Sequence, residues 1–233
     1  MRLVGTVLLS LFCVTYGVAM GRYELPPFSL LQAAKRIVVP VAQSREPDEQ
    51  GAAYYASRTD QFRHSPGSAD IVMLGDSITE FGPWQAMFPN IGVLNRGIGS
   101  DTTRGVIERL PEVMTRKPRA VFVMIGVNDL RAGSQPEAVI GRIQQIATSL
   151  RTSGIAPVLQ SILYTADQAV NRSIRAVNVS IETWCSSNGC VYVDVNRALA
   201  PGGTLLSKYT WDGLHLNGDG YAAWKDLIEP AFP

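Results

Sequence analysis

Val121-Phe122-Val123-Met124-Ile125 is the stretch of sequence that decides the fold class. All five side chains are apolar, so both faces of a strand formed here are buried, as in a parallel sheet covered by helices on both sides. Gly126-Val127-Asn128-Asp129 follows directly and places polar residues at the carboxyl end of that strand. We therefore expect a central strand of an α/β domain.

Similar short apolar runs alternate with amphipathic stretches along the chain from about Asp70 onward. This alternation, with short connections, predicts a doubly wound sheet: a flavodoxin-like three-layer α/β/α sandwich with five parallel strands. The predicted strands are Ile71–Leu74, Gly92–Asn95, Ala120–Ile125, Ala156–Ser161 and Val191–Val195. The predicted helices are Thr103–Met114, Gln135–Thr152, Ala169–Trp184 and Gly218–Leu227.

The N-terminal segment is hydrophobic, with no charged residue between Arg2 and Arg22. The stretch Leu3 to Gly21 reaches the minimum length of a membrane-spanning helix and exceeds most signal-peptide cores. We favour an uncleaved signal anchor, a hydrophobic helix over residues 1–21. A removed signal peptide is the alternative, since Gly17-Val18-Ala19 offers a small-residue cleavage site, and a buried helix of the globular domain is a third interpretation.

Residues 22–69 are predicted to form a tether and a lead-in helix, and residues 70–233 the globular domain. The lead-in helix spans Ala52 to Arg63, and its Tyr54, Tyr55 and Phe62 can dock on the domain. A signal-like N-terminus normally sends the rest of the chain outward. We expect the domain on the periplasmic side, tethered to the cytoplasmic membrane through the N-terminal segment, or secreted if that segment is cleaved.

Cys185 and Cys190 flank a turn pair, Asn188-Gly189, so the chain can fold back and close a small disulfide. Two unpaired thiols are the alternative. The chain has 21 Lys and Arg residues against 20 Asp and Glu residues, so its net charge of +1 gives no indication of a nucleic-acid partner. Neither a metal site nor an organic cofactor is implied.

Ser77 follows the first predicted strand and is a candidate nucleophile. A serine hydroxyl needs a base to take its proton, and the chain has only two histidines. His64 lies in the polar lead-in, where a surface position is expected. His215 follows Asp212 by three residues, so one turn can bring that carboxylate to the imidazole Nδ1 and hold its tautomer. A turn cap is the alternative role for Asp212.

Donors for a negatively charged oxygen are also available at predicted strand ends. The backbone N–H of Ser77 is one, and the side-chain amide of Asn128 is a second. A third would come from the turn Gly97–Asp101, whose small residues let backbone N–H groups approach a ligand. For Asn128 taken alone, an Asx turn ending the strand is the simpler interpretation.

Four stretches carry these groups: Gly75-Asp76-Ser77, Gly97–Asp101, Gly126–Asp129 and Asp212–His215. In this order they resemble the blocks of the GDSL/SGNH hydrolase superfamily, over about residues 70–227. Residues 74–80 and 95–103 resemble the branch of platelet-activating-factor acetylhydrolases and bacterial sugar acetylesterases.

The resemblance implies that Ser77 is the nucleophile, His215 the base, Asp212 its partner and Asn128 an oxyanion donor. One block departs from the family pattern, since the glycine expected before the aspartate of the second block is Ser100 here. We assign the third oxyanion donor to the backbone N–H of Ser100, with Gly99 as the alternative.

The expected activity is therefore hydrolysis of a carboxylic ester through an acyl-enzyme on Ser77. Short connections predict an open site, which suits an acetyl or other short acyl group carried on an envelope glycan or a related molecule. A lysophospholipase or thioesterase acting on membrane lipids and an O-acyltransferase are the alternatives. Trp84 and Trp211 either flank the substrate or are partly buried against the sheet edge.

Overall fold

The structure is a computed structural model, and it describes residues 49–65 and 67–233. The predicted hydrophobic helix over residues 1–21 and most of the predicted tether lie outside the described residues. Within the described residues, no helix combines the length and the apolar character that crossing a bilayer requires. The predicted division of the chain at 21/22 and 69/70 stays a prediction.

Five parallel strands form one sheet in the order β2-β1-β3-β4-β5. This order confirms the predicted flavodoxin-like arrangement, in which the chain changes direction across the sheet between β1 and β3. Ligands of such sheets bind at the carboxyl ends of the strands beside that switch point. The strands are β1 Ile71–Gly75, β2 Val93–Gly97, β3 Ala120–Met124, β4 Ala156–Gln160 and β5 Val191–Val193.

The five predicted helices are all present, with ends shifted by at most three residues. Four helices of four or five residues were not predicted, because one turn is too short to show a helical period. The helices of the described residues are α1 Glu49–His64, α2 Ser77–Glu80, α3 Trp84–Met87, α4 Thr103–Thr115, α5 Val127–Arg131, α6 Pro136–Thr152, α7 Gln168–Ser187, α8 Asn196–Leu199 and α9 Gly218–Ile228.

Strands β1 and β3 are buried along their whole length, as the apolar run at Val121–Ile125 predicted. The same core contains Trp84, which is 1% exposed. Its indole N–H donates to the carbonyl of Thr79 at 2.8 Å, and its ring packs edge-on against Trp224. The expectation that Trp84 flanks a substrate is therefore wrong, because the whole side chain is used in packing.

Helix α1 docks on the domain through the aromatic residues that the sequence indicated. The Phe62 ring is buried, with the guanidinium group of Arg96 over its face at 4.5 Å. The Tyr55 hydroxyl donates to the carbonyl of Gly105 in α4 at 3.0 Å. Elsewhere, Cys185 and Cys190 form a disulfide, which decides between the two interpretations of that pair.

Candidate active site

The predicted site residues come from four separate connections and meet at the carboxyl edge of the sheet. Ser77 is the first residue of α2, immediately after β1, and Ser100 lies in the turn after β2. Asn128 is the second residue of α5, after β3. Asp212 and His215 lie in the loop before α9.

Ser77, His215 and Asp212 form a continuous hydrogen-bonded line. Ser77 Oγ lies 2.9 Å from His215 Nε2, and His215 Nδ1 lies 2.6 Å from Asp212 Oδ2. An ionised carboxylate can only accept, so the proton between them belongs on Nδ1. Nε2 of the neutral imidazole is then an acceptor aimed at the hydroxyl of Ser77.

Asp212 is held in its ionised form by the same loop. Partial burial raises the pKa of the carboxyl, but hydrogen bonds from the His215 ring and from the backbone N–H groups of His215 and Leu214 outweigh burial and lower the pKa to about 2. Both backbone bonds end on Oδ1, at 2.7 and 2.9 Å, which leaves Oδ2 for the imidazole. Asp212 therefore acts both as a turn acceptor and as the partner of His215.

The loop that carries Asp212 and His215 is fixed at two further points. The Thr210 hydroxyl donates to the carbonyl of His215 at 2.6 Å and accepts from the N–H of Gly213 at 2.9 Å. The carbonyl of Gly213 accepts from the N–H of Ala166 at 2.7 Å. Gly213 has φ +83°, and a Cβ there would lie 2.7 Å from the Cβ of Ala166, so glycine is required.

Two exposed aromatic rings flank His215. Trp211 stacks on the imidazole, with centroids 5.5 Å apart and planes 14° apart, and is 68% exposed. Phe81 lies on the imidazole at 5.2 Å and is 53% exposed. Trp211 thus lies exposed beside the candidate base and is not buried against the sheet edge, and no sequence pattern indicated Phe81.

The turn from β1 into α2 leaves the backbone N–H of Ser77 available. Asp76 caps the helix by accepting from the N–H of Ile78 at 3.0 Å, while the N–H of the first helical residue has no acceptor within the helix. Because Gly75 has no side chain, the backbone beneath this turn can lie close to Met124 of β3 and to Thr79 of α2. A Cβ at Gly75 would lie 2.3 Å from both the Met124 carbonyl and the Thr79 hydroxyl.

The turn after β2 distinguishes between the two candidate backbone donors. The N–H of Gly99 donates to Glu80 Oε2 at 2.8 Å, so it is already engaged. Ser100 is exposed, has φ +62°, and its N–H has no acceptor among the described residues. This geometry favours Ser100 over Gly99 as the free donor, and it explains why a glycine would be easily accommodated at position 100.

Asn128 reaches across to the same turn instead of closing an Asx turn on its own strand. Its Nδ2 donates to the carbonyl of Asp101 at 2.9 Å, which fixes the amide and leaves its second hydrogen unengaged by that bond. Gly126 makes the bend from β3 into α5 with φ +127°. Asn128 therefore links the second and third sequence blocks.

A buried charged layer lies under these turns. Arg109 pairs with Asp101 at 2.8 Å and donates to the carbonyl of Gly75 at 3.0 Å, while Asp129 accepts from Thr103 and pairs with Arg142. Burial, together with the nearby Asp101 and Asp129 charges, raises the pKa of Asp76 to about 7, although Ile78 and Arg109 lower it. Sequence reasoning missed this layer.

The remaining titratable candidates lie outside the site. His64 is on the surface of α1, where it contacts Asp60, as predicted. Across residues 49–65 and 67–233, no three His, Cys, Asp or Glu side chains are grouped in a way that could hold a metal ion.

Comparison with known proteins places the chain among acylhydrolases. The profile of the GDSL-like lipase/acylhydrolase family matches residues 73–223. Human platelet-activating factor acetylhydrolase IB subunit alpha2 is 27% identical over 173 residues, covering 66% of this chain and 71% of that protein. An N-acylneuraminate cytidylyltransferase of Streptococcus agalactiae is 31% identical over 140 residues, covering 59% of this chain. The chain spans about a third of that relative's length, 33%.

The fold agrees with this assignment. A GDSL-like lipase of Bacteroides thetaiotaomicron superposes with a TM-score of 0.69 at 23% identity, covering 77% of this chain and 97% of that structure. All four sequence blocks lie within the matched region and meet at one edge of the sheet. The chain therefore belongs to the GDSL-like lipase/acylhydrolase family.

Proposed function

We propose that this protein is a serine carboxylester hydrolase that removes acetyl or other short acyl groups through an acyl-enzyme on Ser77. The observation that carries the proposal is the hydrogen-bonded line from Ser77 through His215 to Asp212, with distances of 2.9 and 2.6 Å. Such a line converts a weakly nucleophilic hydroxyl into an effective nucleophile.

In the acylation step, Ser77 Oγ attacks the ester carbonyl carbon while His215 Nε2 takes its proton. The carbonyl electron pair moves onto oxygen, where the N–H groups of Ser77 and Ser100 and the amide of Asn128 stabilise the charge. Collapse of this intermediate breaks the bond to the alcohol, and His215 returns the proton to the departing oxygen. Asp212, ionised throughout, stabilises the imidazolium that exists between these transfers.

In the deacylation step, water takes the place of the alcohol. His215 removes a proton from the water, whose oxygen attacks the acyl carbon and forms a second oxyanion in the same donor set. The bond to Ser77 Oγ then breaks, His215 reprotonates the serine, and the carboxylic acid leaves.

A short acyl group on a larger alcohol, such as an envelope glycan, is the substrate class that we propose. The relative that is a platelet-activating factor acetylhydrolase supports an acetyl group. The exposed ring of Trp211 beside His215 supports an extended alcohol, because an open aromatic face can accommodate part of a large molecule.

A lipid ester is the second candidate, and the exposed ring of Phe81 favours it. Phe81 and Trp211 each contact the imidazole of His215 and expose apolar ring surface beside it. An acyl chain or a lipid tail could pack on this surface. A series of 4-nitrophenyl esters from C2 to C12 distinguishes the two candidates. Highest kcat/KM at C2 to C4 supports the short-acyl hydrolase, whereas a maximum at C8 or longer supports the lipid ester.

Replacement of the nucleophile tests the mechanism. Ser77→Ala should abolish hydrolysis of 4-nitrophenyl acetate and labelling by a fluorophosphonate probe, while the thermal unfolding transition persists. Ser207→Ala is the matched control, since Ser207 is exposed in the short 3-10 helix Ser207–Tyr209, its hydroxyl has no hydrogen-bond partner among the described residues, and its loss should leave both readouts unchanged. Turnover retained in Ser77→Ala would exclude the acyl-enzyme on this serine.

We also propose that the domain works outside the cytoplasm, tethered or secreted through residues 1–21. The uncharged N-terminal stretch and the Cys185–Cys190 disulfide support this location, because structural disulfides persist in oxidising compartments. Fractionation of cells that express the full chain, with protease protection in spheroplasts, tests it. Recovery of the protein in the cytosol would contradict it.

A further inference from the structure

We propose that the pocket between the start of α7 and residues 202–204 is an anion subsite, which binds a carboxylate or phosphate group on the alcohol part of a glycan ester. This inference rests on the proposed function, because it assigns the substrate class of the same site. It would make the preferred alcohol an acidic glycan.

The pocket is an open concavity on the carboxyl side of the sheet. Its volume is about 250 Å³, and its lining consists of Gln168, Asn171, Arg172, Arg175 and residues 202–204. That volume holds several water molecules and is large enough for a carboxylate or phosphate group.

The walls of the pocket are fixed by one buried side chain. Asn171 accepts from the N–H of Thr165 at 2.8 Å through Oδ1, and its Nδ2 donates to the carbonyls of Thr165 and Gly203 at 2.8 and 3.0 Å. These three bonds join α7 to the loop on the opposite wall. The backbone of the two walls is therefore held in place without a ligand.

The charge of the pocket is positive. Among the described residues, neither Arg172 nor Arg175 has a carboxylate within ion-pair distance. The nearby Asp167 is engaged as the cap of α7, where it accepts from the N–H of Ala169 at 2.8 Å. Arg175 lies over the Tyr164 ring at 5.5 Å, which orients its guanidinium group.

The position of the two arginines distinguishes them from other exposed arginines. Arg172 and Arg175 are three residues apart on α7, so their side chains lie on the same face of the helix and line one concavity. Guanidinium groups donate paired hydrogen bonds to carboxylate and phosphate oxygens. A pocket with two such groups and no internal acid is suited to an anion.

The pocket is connected to the candidate active site through the His215 loop. The N–H of Ala166, two residues before the start of α7, donates to the carbonyl of Gly213 at 2.7 Å, and Gly213 lies between Asp212 and His215. Because His215 protonates the departing alcohol, that alcohol lies on its side of Ser77. The pocket therefore adjoins the loop of His215, on whose side we place the departing alcohol.

The separation sets the size of the ligand. Strand β4 precedes the pocket and is two positions from β1, which precedes Ser77, so the ends of these two strands lie about 10 Å apart across the sheet. A charge in the pocket can belong to the same molecule as the ester only if the alcohol is extended. An acidic oligosaccharide meets that requirement, whereas a simple acetylated alcohol does not.

A comparison of two oligosaccharide esters tests the subsite. Arg172→Gln/Arg175→Gln should raise KM at least tenfold for O-acetylated oligogalacturonate, which carries carboxylates, and leave kcat unchanged. On neutral O-acetylated xylo-oligosaccharide, the kinetics of this double variant should match those of the wild type. Lys117→Gln/Arg119→Gln is the matched control, since it removes two exposed charges at the opposite edge of the sheet. Equal KM values of the arginine variant and the wild type on the acidic ester would overturn the proposal.

A binding measurement separates this proposal from the proposed activity. Calorimetric titration of Ser77→Ala with trigalacturonate or with phosphorylated maltotriose should show binding that weakens with salt and that disappears when Arg172 and Arg175 are also replaced. Binding of only one of the two ligands identifies the charged group. Binding without any esterase activity in the wild type would remove the proposed function and keep the anion site, whereas esterase activity without binding would overturn the site alone.

Discussion

Glu80 accepts the backbone N–H of Gly99 at 2.8 Å through Oε2, while its Oε1 accepts the Tyr54 hydroxyl at 2.5 Å and forms an ion pair with Arg58. One carboxylate thus joins α1, the end of α2 and the turn after β2. By engaging the N–H of Gly99, it leaves the N–H of Ser100 as the free donor of that turn. Helix α1 therefore contributes to the geometry of the candidate oxyanion site.

Replacement of Glu80 should lower the rate of the chemical step without preventing substrate binding. In Glu80→Ala the Gly99 N–H loses its acceptor and the turn can shift, and because misplacement of a group by about 1 Å can lower the rate by up to about 10²-fold, kcat should fall roughly tenfold or more. KM should change less than twofold. Steady-state kinetics on 4-nitrophenyl acetate measure both constants.

Two further variants show whether Glu80 acts by positioning the turn. Glu80→Gln keeps an amide oxygen for the Gly99 N–H and should restore most of kcat. Tyr54→Phe removes only one of the bonds to the carboxylate and should have a smaller effect than Glu80→Ala. An alanine variant with the wild-type kcat would show that the turn keeps its geometry without the carboxylate.

Asn128→Ala should lower kcat by about 10²–10³-fold, because it removes one preorganised donor from the proposed oxyanion site. Asn128→Asp retains the shape of the side chain but replaces the donor with a charged acceptor, so its kcat should be no higher than that of the alanine variant. Kinetics with circular dichroism as a control for folding provide the check. A rise in KM with kcat unchanged would indicate that Asn128 binds the ground state and the transition state equally.

The sheet could be predicted from the sequence because buried parallel strands leave a strong local signal. The run at Val121–Ile125 is apolar on both faces, and the glycines after β1 and β3 mark the turns that follow. The contact between His215 and Asp212 could also be predicted, because the two residues are only three positions apart. Each of these predictions depended on neighbours in the chain.

The second block and the aromatic contacts could not be predicted in the same way. The bond from Glu80 to Gly99 joins residues 19 positions apart, and its existence depends on how two turns meet. Trp84 and Trp211 both lie near a motif, yet one is buried and the other exposed. Only the packing of α3 against the sheet distinguishes them.

Ser100→Gly should stabilise the protein and retain its activity. Ser100 has φ +62°, and a left-handed conformation costs a residue with a Cβ about 1 kcal/mol that glycine does not incur. The backbone N–H is preserved, so kcat should stay within twofold of the wild type. Urea unfolding and ester kinetics measure the two effects. Ser100→Ala is the control, because it keeps the Cβ and should show no gain in stability from this source.

Asp76→Asn should weaken the pH dependence of stability. Burial raises the pKa of Asp76 to about 7 in the folded protein, from 3.8 for an ordinary carboxyl. Between these two values the folded state keeps a proton that the unfolded state has released. The resulting stabilisation of the folded state is complete below about pH 4 and is lost as the pH rises to 7. Between pH 5 and pH 8.5 the wild type should lose about 2–3 kcal/mol more stability than the variant.

Urea unfolding of both proteins at the two pH values measures this difference. Asparagine retains an oxygen for the N–H of Ile78, so the cap of α2 persists in the variant and does not account for the result. Burial also raises the pKa of the Asp101 carboxyl. This carboxyl is present in both proteins, so comparing them reduces its contribution to the measured pH dependence. Parallel pH profiles for the two proteins would mean that Asp76 is ionised in the folded state at low pH as well, and that Arg109 compensates the burial of its charge.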